Sequence, residues 1–576
     1  MALIITDLEE RFMRADNKIL KGYEDTELIH YGDMPLDFPN THFFDELPNE
    51  EVTGVLKANR YVDGRLVQTY SLQENHLLTI AATRLGKTTQ CVIPQIVSFA
   101  AQKIKRSLIV SDPKGELYKL LAAYLIENGY DVLLMNLRDY MHSEYWNSLT
   151  GIYRKHQKAY NIEDEVEAIE TEDGNRNRFR GVIYEKQSLL DEAIRQVKDL
   201  LIADVDSDID TLAYTIIPPD EAKDQYWNDA PRQLFKALCW AMLEDSISVE
   251  GKEATINENT FSFNTLFTIM DALTEREGYD NNNYFSDRGD ASKAYNYAKV
   301  ILNNASSTRQ CVVSSFYAKL APFRNSTIRL ITSCSSFDLS RLTSDKPVAI
   351  FITYPDETKV YYQVISTFVQ SAYNYLINYA NEQPTGKLKV PFYFMLDEFG
   401  NFPKIPDFST VISACGGRNI WFNLVLQSYA QLNNVYGRDM AEVIRDNLNV
   451  HMFLGSNNPA TLKEFSEECG YTTRISPLSA LNGSKGEIEQ YNIETIPLVP
   501  RSMLAKLQPG ECIVTEANSG YVMFSRMERY YLCQEFSNFQ LSFDKDYVCS
   551  INPLNKKYTY SFSKDAKKKK KFSFDF

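Results

Sequence analysis

Two short stretches of the sequence, far apart in the chain, combine residue types that act together in phosphate chemistry. The first, Gly86-Lys87-Thr88, closely follows the apolar run HLLTI at 76–80. A glycine lets backbone N–H groups approach a phosphate, a lysine reaches the terminal phosphates, and a threonine hydroxyl can bind Mg²⁺. The second stretch is the carboxylate pair Asp397-Glu398, which directly follows the apolar run FYFML.

The first stretch belongs to AATRLGKTT at 81–89, which fits the phosphate-binding pattern G-x-x-x-x-G-K-[ST] except that Ala81 replaces the first glycine. An apolar strand pattern precedes it and a helical pattern follows it, which is the context that the motif requires. A plain strand–helix turn is the alternative. We predict that this loop binds ATP and Mg²⁺. The predicted nucleotide-binding residues are Thr83, Arg84, Gly86, Lys87, Thr88 and Thr89.

The second stretch is typical of a Walker B site, where an apolar strand ends in acidic residues. At such a strand end Asp397 would lie beside the phosphate-binding loop and, with Thr88, hold Mg²⁺. Glu398 would polarise the attacking water as general base. Taken alone, the two carboxylates could also be helix-capping or solvated loop residues. Their pairing with the phosphate-binding loop favours the catalytic interpretation.

Two more polar residues flank the next apolar run, IWFNLVL at 420–426. Gln427 follows the run and could sense the γ-phosphate and relay hydrolysis to another surface. Arg418 precedes it and could reach a neighbouring subunit's nucleotide as an arginine finger, or form a surface salt bridge. We predict catalytic roles for Lys87, Glu398, Gln427 and Arg418.

Strand and helix patterns alternate around both stretches, which predicts an α/β fold with a mainly parallel sheet and crossover helices. Between the two α/β parts, residues 155–180 are charged and irregular, and leucines then recur at helical spacing. The predicted division is 1–75, an N-terminal extension with short β elements; 76–160, the first part of a nucleotide-binding domain; 161–335, an inserted mainly helical domain; 336–540, the second part of the nucleotide-binding domain; and 541–576, a flexible C-terminal tail.

Composition narrows the class of protein. The 576 residues are 44% hydrophobic and 24% charged, which excludes a mostly disordered chain. No apolar run reaches the ~18 residues of a transmembrane helix, and acidic residues come too early for a signal peptide. The nine cysteines form no CxxC pair, and the six histidines form no HExxH motif. We therefore expect a cytoplasmic protein with free thiols and no zinc site.

Charge limits how the chain could contact nucleic acid. The net charge is −15, and a uniformly acidic surface would repel DNA. Any DNA contact therefore requires a locally basic surface such as a channel. The run Lys567–Lys571 is a candidate for contact with nucleic acid or anionic lipid, although a solvated tail is the simpler interpretation.

Several motifs together resemble the type IV secretion coupling proteins, which are conjugative DNA-transfer ATPases of the TraG/TraD type related to FtsK-like DNA pumps. The resemblance covers roughly residues 75–535, in order and at similar spacing. Its motifs are AATRLGKTTQCVIPQI, SDPKGELYKLLAAYLIENGYDVLLMNL, YWNSL, YWNDAPRQLFKAL and, as the strongest match, FMLDEFGNFPKIPDFSTVISACGGRNIWFNLVLQSYAQLNNVYG.

The resemblance implies a RecA-like P-loop NTPase core with an inserted all-α domain. It implies a ring hexamer at the cytoplasmic face of a secretion channel, which recruits a relaxase–DNA complex and uses ATP to drive single-stranded DNA transfer. By position it assigns nucleotide and Mg²⁺ binding to Lys87 and Thr88, and the Walker B roles to Asp397 and Glu398. Gln427 matches the sensor glutamine, and Arg418 is a candidate interface arginine.

The resemblance also places Asp112 and Lys114 in a D-P-K-G-E loop beside the nucleotide. Many family members carry N-terminal transmembrane helices, which this sequence lacks, so we expect a partner protein to attach the chain to the membrane. Two other functions stay open: a docking adaptor switched by nucleotide, which would gather relaxase or effectors on the helical insertion, and a motor for protein substrates.

Overall fold

The computed structural model describes most of the chain after residue 53 and two short strands before it. The described residues are 27–30, 41–43, 54–171, 174–219, 225–248, 253–274, 283–477, 491–517, 519, 521–533 and 539–560. The lysine run at 567–571 lies outside the described residues.

The strands, numbered in chain order, are β1 (Glu27–His30), β2 (Thr41–Phe43), β3 (Leu56–Val62), β4 (Arg65–Tyr70), β5 (Leu77–Ala81), β6 (Ser107–Ser111), β7 (Asp131–Asn136), β8 (Val166–Thr171), β9 (Gly174–Phe179), β10 (Val182–Tyr184), β11 (Val348–Thr353), β12 (Phe392–Leu396), β13 (Ile420–Leu426), β14 (Val450–Gly455), β15 (Tyr471–Pro477), β16 (Tyr491–Pro497), β17 (Glu511–Glu516) and β18 (Tyr521–Arg526).

The α-helices are α1 (Ile93–Ala101), α2 (Glu116–Glu127), α3 (Thr150–Tyr160), α4 (Gln187–Ile216), α5 (Gln225–Glu244), α6 (Phe263–Thr274), α7 (Asn283–Ser286), α8 (Lys293–Leu302), α9 (Ser306–Lys319), α10 (Ser326–Ile331), α11 (Tyr362–Glu382), α12 (Phe408–Cys415), α13 (Tyr429–Tyr436), α14 (Arg438–Asp446), α15 (Pro459–Glu468) and α16 (Arg501–Leu504). None of these helices combines the length and apolar content that crossing a bilayer requires.

Ten of the described strands form one sheet, in the order β1-β18-β17-β14-β5-β13-β12-β6-β11-β7. All neighbours from β14 to β7 pair in parallel, whereas β17 pairs antiparallel with β14 and with β18. The predicted mainly parallel sheet is therefore confirmed. Because parallel strands all have their carboxyl ends on the same side of the sheet, the segments that follow β5, β13 and β12 lie side by side.

Both faces of the sheet are covered, which explains the continuous apolar runs in the sequence. In β11, Val348, Ile350 and Ile352 enter the core on one face, and Ala349 and Phe351 enter the core on the other. All six residues of this strand are buried. A register slip of one residue would exchange the two sets, so the packing fixes where each strand ends.

The N-terminal segment adds to this sheet and also covers it. Strand β1 pairs in parallel with β18 at the edge of the sheet. Strands β2, β4 and β3 form a small antiparallel sheet beside α1. There the Leu56 N–H donates to Gln95 Oε1 at 2.9 Å, and the hydroxyls of Tyr70 and Ser98 lie 2.6 Å apart. The predicted N-terminal extension thus packs on the α/β core.

The segment between β7 and β11 is mainly helical and contains α3 to α10. Residues 155–180, whose sequence is charged and irregular, contain the end of α3, which runs to Tyr160, and strands β8 and β9, which form an antiparallel sheet with β10. Charged pairs replace the apolar alternation that usually marks a strand. Glu167 faces Arg178 across β8 and β9 and forms an ion pair with it, and Arg180 Nε lies 2.9 Å from Glu165 Oε2.

The C-terminal tail that is predicted to be flexible from residue 541 packs on the core over 541–560. The Ser542 N–H donates to the Lys119 carbonyl at 2.8 Å, and the Tyr547 hydroxyl donates to Glu144 Oε1 at 2.6 Å. Tyr558 is buried in the core. Aromatic residues spaced among charged ones supply these anchors, although the local composition is typical of a solvated tail.

The helical insertion contains a buried cation, Arg288, which joins the loop between α7 and α8 to the end of α5. Arg288 Nη1 lies 3.1 Å from Glu244 Oε2, and Arg288 Nη2 lies 2.7 Å from Asp245 Oδ2. The Ser292 hydroxyl donates to the same Glu244 carboxylate at 2.8 Å. Glu244 is 3% exposed, so its charge depends on these partners.

We predict that Arg288→Met destabilises the insertion by roughly 3 kcal/mol, because it leaves two carboxylates without their cation. The matched control is Arg341→Met, which removes a half-exposed partner of Asp131 at 3.1 Å and should cost less than about 1 kcal/mol. Urea unfolding of both variants tests the difference, and equal midpoints would contradict it.

Candidate functional site

The loop between β5 and the helix that follows it has the backbone of a phosphate cradle. A π-helical turn at Thr88–Val92 leads from the loop into α1. Gly86 has φ +88°, and a Cβ there would lie 3.1 Å from Thr89 Oγ1, so glycine suits the position. Arg84 is exposed and also has a positive φ, of 70°. Ala81 is not among the residues with positive φ, so alanine is tolerated at the end of β5.

The loop is held by the neighbouring strand β14. The Ala82 N–H donates to the carbonyl of Gly455 at 2.9 Å, and the Thr89 hydroxyl donates to the Gly86 carbonyl at 3.1 Å. A Cβ at Gly455 would lie 2.8 Å from Leu85 Cδ1, so the end of β14 fits closely against the loop. Gly455 could not be identified from the sequence, because its role depends on strand order.

The structure brings the two predicted chemical stretches together. The Thr88 hydroxyl donates to Asp397 Oδ2 at 2.7 Å, across 309 residues of sequence. Lys87 Nζ lies 3.3 Å from Glu398 Oε1. Strand β13 alone separates β5 from β12, which is why the two strand ends can meet. The hydroxyl of Thr88 and the carboxylate of Asp397 are oxygen donors of the kind that Mg²⁺ prefers.

The carboxyl group of Asp397 lies in a desolvated environment. The residue is 6% exposed, and burial raises the pKa of its carboxyl. The nearby Lys87 ammonium and the Thr88 hydrogen bond oppose this increase, as does the Glu398 N–H, which donates to Asp397 Oδ1 at 2.8 Å. The carboxylate is thus poised to gain from a further cation in its vicinity.

Glu398 has an unusual backbone. Its φ is +54° and its ψ is +39°, in the left-handed region that disfavours side chains with a Cβ. The residue precedes a short 3₁₀ turn at Phe399–Asn401, and the Asn401 N–H donates to its carbonyl at 2.7 Å. Such conformations cost about 1–3 kcal/mol and cluster at functional sites. The turn directs the chain away from β12 immediately after the carboxylate pair.

Gln427 lies beside the phosphate-binding loop. Its Oε1 accepts from the Thr83 hydroxyl at 3.1 Å, and its carbonyl accepts from the Ser456 hydroxyl at 3.3 Å. Its N–H donates to Gln431 Oε1 at 2.8 Å. The structure therefore groups the predicted sensor glutamine with the loop. Gln431 was not predicted from the sequence, although its spacing of four residues from Gln427 is a usable signal.

Arg418 is not brought to this site within one chain. Arg418 precedes β13 and Gln427 follows β13, so the two residues lie at opposite ends of this strand. The seven residues of β13 span about 20 Å. Arg418 Nη1 donates to the Ala414 carbonyl and Arg418 Nε donates to Asn381 Oδ1, each at 2.9 Å. Its assignment as an arginine finger stays a prediction.

Asp112 follows β6, next to β12, and is buried. Its Oδ2 accepts from the Tyr118 N–H at 2.8 Å, which caps the first turn of α2. Burial raises the pKa of the Asp112 carboxyl to about 6, and repulsion from Asp397 adds to the increase, although backbone N–H groups oppose it. Lys114, from the same loop, is exposed.

We predict that Asp112 makes the protein less stable as the pH rises. Because its folded pKa of about 6 exceeds the ordinary value of 3.8, its favourable contribution is complete only well below pH 3.8 and is lost as the pH rises through 6. In Asp112→Asn the amide oxygen still accepts from Tyr118 but cannot ionise. The unfolding free energy of the wild type minus that of the variant should fall by about 2 kcal/mol between pH 4 and 7. Urea titrations would measure this, and a constant difference would contradict it.

Comparisons with known proteins agree with this geometry. A family model described as "Type IV secretory system Conjugative DNA transfer" matches residues 45–542. A conjugal transfer protein TraG from Escherichia coli is 23% identical over 458 residues, which are 76% of this chain and 61% of the relative. A second TraG from Escherichia coli is 22% identical over 469 residues, which are 78% of this chain and 63% of the relative. The chain spans about three fifths of the length of these curated relatives.

Solved structures of the plasmid coupling protein TrwB share the fold. The complex with ADP and Mg²⁺ has a TM-score of 0.55 at 16% identity, covering 84% of this chain and 90% of TrwB. The complex with the ATP analogue ADPNP has a TM-score of 0.55 at 15% identity, covering 93% and 97%. The predicted RecA-like P-loop NTPase fold is confirmed. The family match over most of the chain shows that this protein belongs to the type IV secretion family of conjugative DNA-transfer coupling proteins.

Proposed function

We propose that the chain hydrolyses ATP to drive single-stranded DNA transfer in a conjugative type IV secretion system, after recruiting a relaxase–DNA complex. The observation that carries the proposal is the meeting of Thr88 with Asp397 and of Lys87 with Glu398. It combines a phosphate cradle, a pair of oxygen donors and a further carboxylate at one sheet edge. Membership of the conjugative DNA-transfer family supports the DNA substrate.

Nucleotide binding is supported by the TrwB complexes, which contain ADP with Mg²⁺ or an ATP analogue. In this chain Lys87 would contact the β- and γ-phosphates, and Thr88 and Asp397 would hold Mg²⁺. The bound cation offsets the negative charge that develops on the transferred phosphoryl group. Thr83, Arg84, Gly86 and Thr89 complete the loop around the phosphates.

Hydrolysis is assigned to Glu398 and its neighbours. The Glu398 carboxylate lies against the Lys87 ammonium. When Lys87 turns to the phosphates, Glu398 is released to accept a proton from the attacking water. Gln427, which is bonded to Thr83, is placed to detect whether a γ-phosphate occupies the loop and to pass that change to the helix that follows.

The assembly we propose is a homohexameric ring at the cytoplasmic face of the membrane, where channel proteins of the secretion system and a membrane partner would hold it. The net charge of −15 means that single-stranded DNA must meet a locally basic surface, such as a pore. Arg418, which lies at the opposite end of β13 from the phosphate-binding loop, would complete a neighbouring subunit's site.

The test is the ATPase activity of Lys87→Ala and Glu398→Gln. We expect Lys87→Ala to lose nucleotide binding and turnover, because it removes the loop's cation. Glu398→Gln should keep nucleotide affinity within about threefold but lose 10²–10⁴-fold in kcat, roughly what a general base contributes. Equilibrium binding of a fluorescent ATP analogue and steady-state turnover separate the two effects, and wild-type turnover in either variant would overturn the mechanism.

Addition of single-stranded DNA distinguishes the motor from the adaptor. A translocase should hydrolyse ATP several times faster when DNA is present, and Glu398→Gln should abolish the stimulated rate. Tight nucleotide binding with negligible turnover, with and without DNA, would instead favour an adaptor switched by nucleotide. Stimulation by a protein substrate but not by DNA would favour a protein motor.

We predict that Arg418→Ala lowers turnover at least 100-fold and that mixing it with Lys87→Ala restores part of the activity. In a mixed ring, the Lys87→Ala subunit supplies Arg418 to a neighbour whose loop is intact. Turnover of each variant alone and of the mixture measures this complementation, with Arg341→Ala as the control for loss of a surface charge. Recovery that does not exceed the sum of the separate rates would contradict action between subunits.

A further inference from the structure

The helix α13 begins two residues after Gln427 and lies against the segment that follows Glu398. Gln431, in its first turn, accepts the Gln427 N–H on Oε1 at 2.8 Å. The side chain of Gln431 is half-buried. The Gln431 side chain therefore fixes the backbone of Gln427, the predicted sensor.

The same side chain packs on the turn after the carboxylate pair. A Cβ at Gly400 would lie within 2.5 Å of Gln431 Oε1 and 2.7 Å of Gln431 Cβ. Gly400 is the middle residue of the 3₁₀ turn that Glu398 precedes. Only glycine leaves room for Gln431 at this point. The Gln431 side chain therefore contacts both Gln427 and the turn that follows Glu398.

The far end of α13 is attached to that segment as well. The ring of Tyr436 stacks on Phe399, with centroids 6.0 Å apart and planes 17° apart. The Ile405 N–H donates to the Tyr436 hydroxyl at 3.1 Å. Helix α13 thus contacts the segment after Glu398 near both of its ends, through Gln431 and through Tyr436. Of these two residues, Gln431 also contacts Gln427.

We propose that Gln431 is a positioning residue for hydrolysis: its Oε1 holds Gln427 in register with the Glu398 turn, so that sensor and general base act on the same nucleotide. This inference rests on the proposed ATPase function. Gln431 makes no contact with the phosphate-binding loop in the described hydrogen bonds, so it acts through Gln427 and the Glu398 turn. Its loss should slow the chemical step and leave nucleotide binding unchanged.

The experiment compares three variants of the full chain. Gln431→Met keeps side-chain length and packing on Gly400 but removes the oxygen acceptor. Gln431→Glu keeps the acceptor. Asn434→Ala, an exposed change on the same helix, is the control. We expect Gln431→Met to lower kcat about tenfold, equivalent to about 1.4 kcal/mol, with KM and the Kd for ADP within twofold. Gln431→Glu should remain within threefold of the wild type, and Asn434→Ala should match it.

The outcomes separate this inference from the function on which it rests. Unchanged kcat in Gln431→Met, or equal losses in the Met and Glu variants, would overturn the positioning role while the ATPase stands. A parallel fall in ADP affinity and thermal midpoint would show a merely structural role and would also overturn it. If the wild type itself hydrolysed no ATP, both the function and this inference would fall.

Discussion

The hydrogen bond between the Thr88 hydroxyl and the Asp397 carboxylate depends on the parallel pairing of β5, β13 and β12. Parallel strands deliver their following residues to one edge of the sheet, and here that edge receives the phosphate-binding loop, Gln427 and the carboxylate pair. Cores on both faces fix the register of each strand. The placement of the phosphate-binding loop, Gln427 and the carboxylate pair thus depends on core packing away from the site.

The same packing sets the electrostatics of the edge. Burial of Asp397 disfavours its charge, while Lys87 and two hydrogen-bond donors favour it. A buried carboxylate with this balance gains more from a divalent cation than a solvated one would, because less water screens the interaction. Lys87 is shared between the two acidic residues, since its ammonium reaches Glu398 and its charge stabilises Asp397. Movement of Lys87 toward a phosphate would therefore change the environment of both carboxylates together.

Much of the fold could be predicted from the sequence wherever apolar runs were long and bounded by polar residues. Strands β12 and β13 begin and end where the apolar runs FYFML and IWFNLVL do. Strands β8 and β9 could not be found in this way, because ion pairs such as Glu167 with Arg178 replace the apolar alternation. The anchors in 541–560 were hidden for a related reason, since isolated aromatic residues such as Tyr558 have no period.

Some residues of the candidate site could likewise be predicted from the sequence, and others could not. Motif spacing identified Lys87, Thr88 and the Asp397–Glu398 pair, because each of the two stretches closely follows a strand that its apolar run predicts. Gly455 and Gln431 have partners far away in the sequence, namely Leu85 and Gly400, and such contacts exist only once strand order is known.

Arg418 shows what a single chain lacks for the proposed function. An arginine finger must reach the γ-phosphate, but β13 places this residue about 20 Å from the loop, at the other end of a rigid strand. No side-chain rotation closes that distance, because an extended arginine reaches far less than the length of the strand. If Arg418 acts in hydrolysis, it must do so on a neighbour, and the same strand that carries Gln427 to one nucleotide then carries Arg418 toward another. A rigid connection of this kind would link the state of adjacent sites in a ring without any further element.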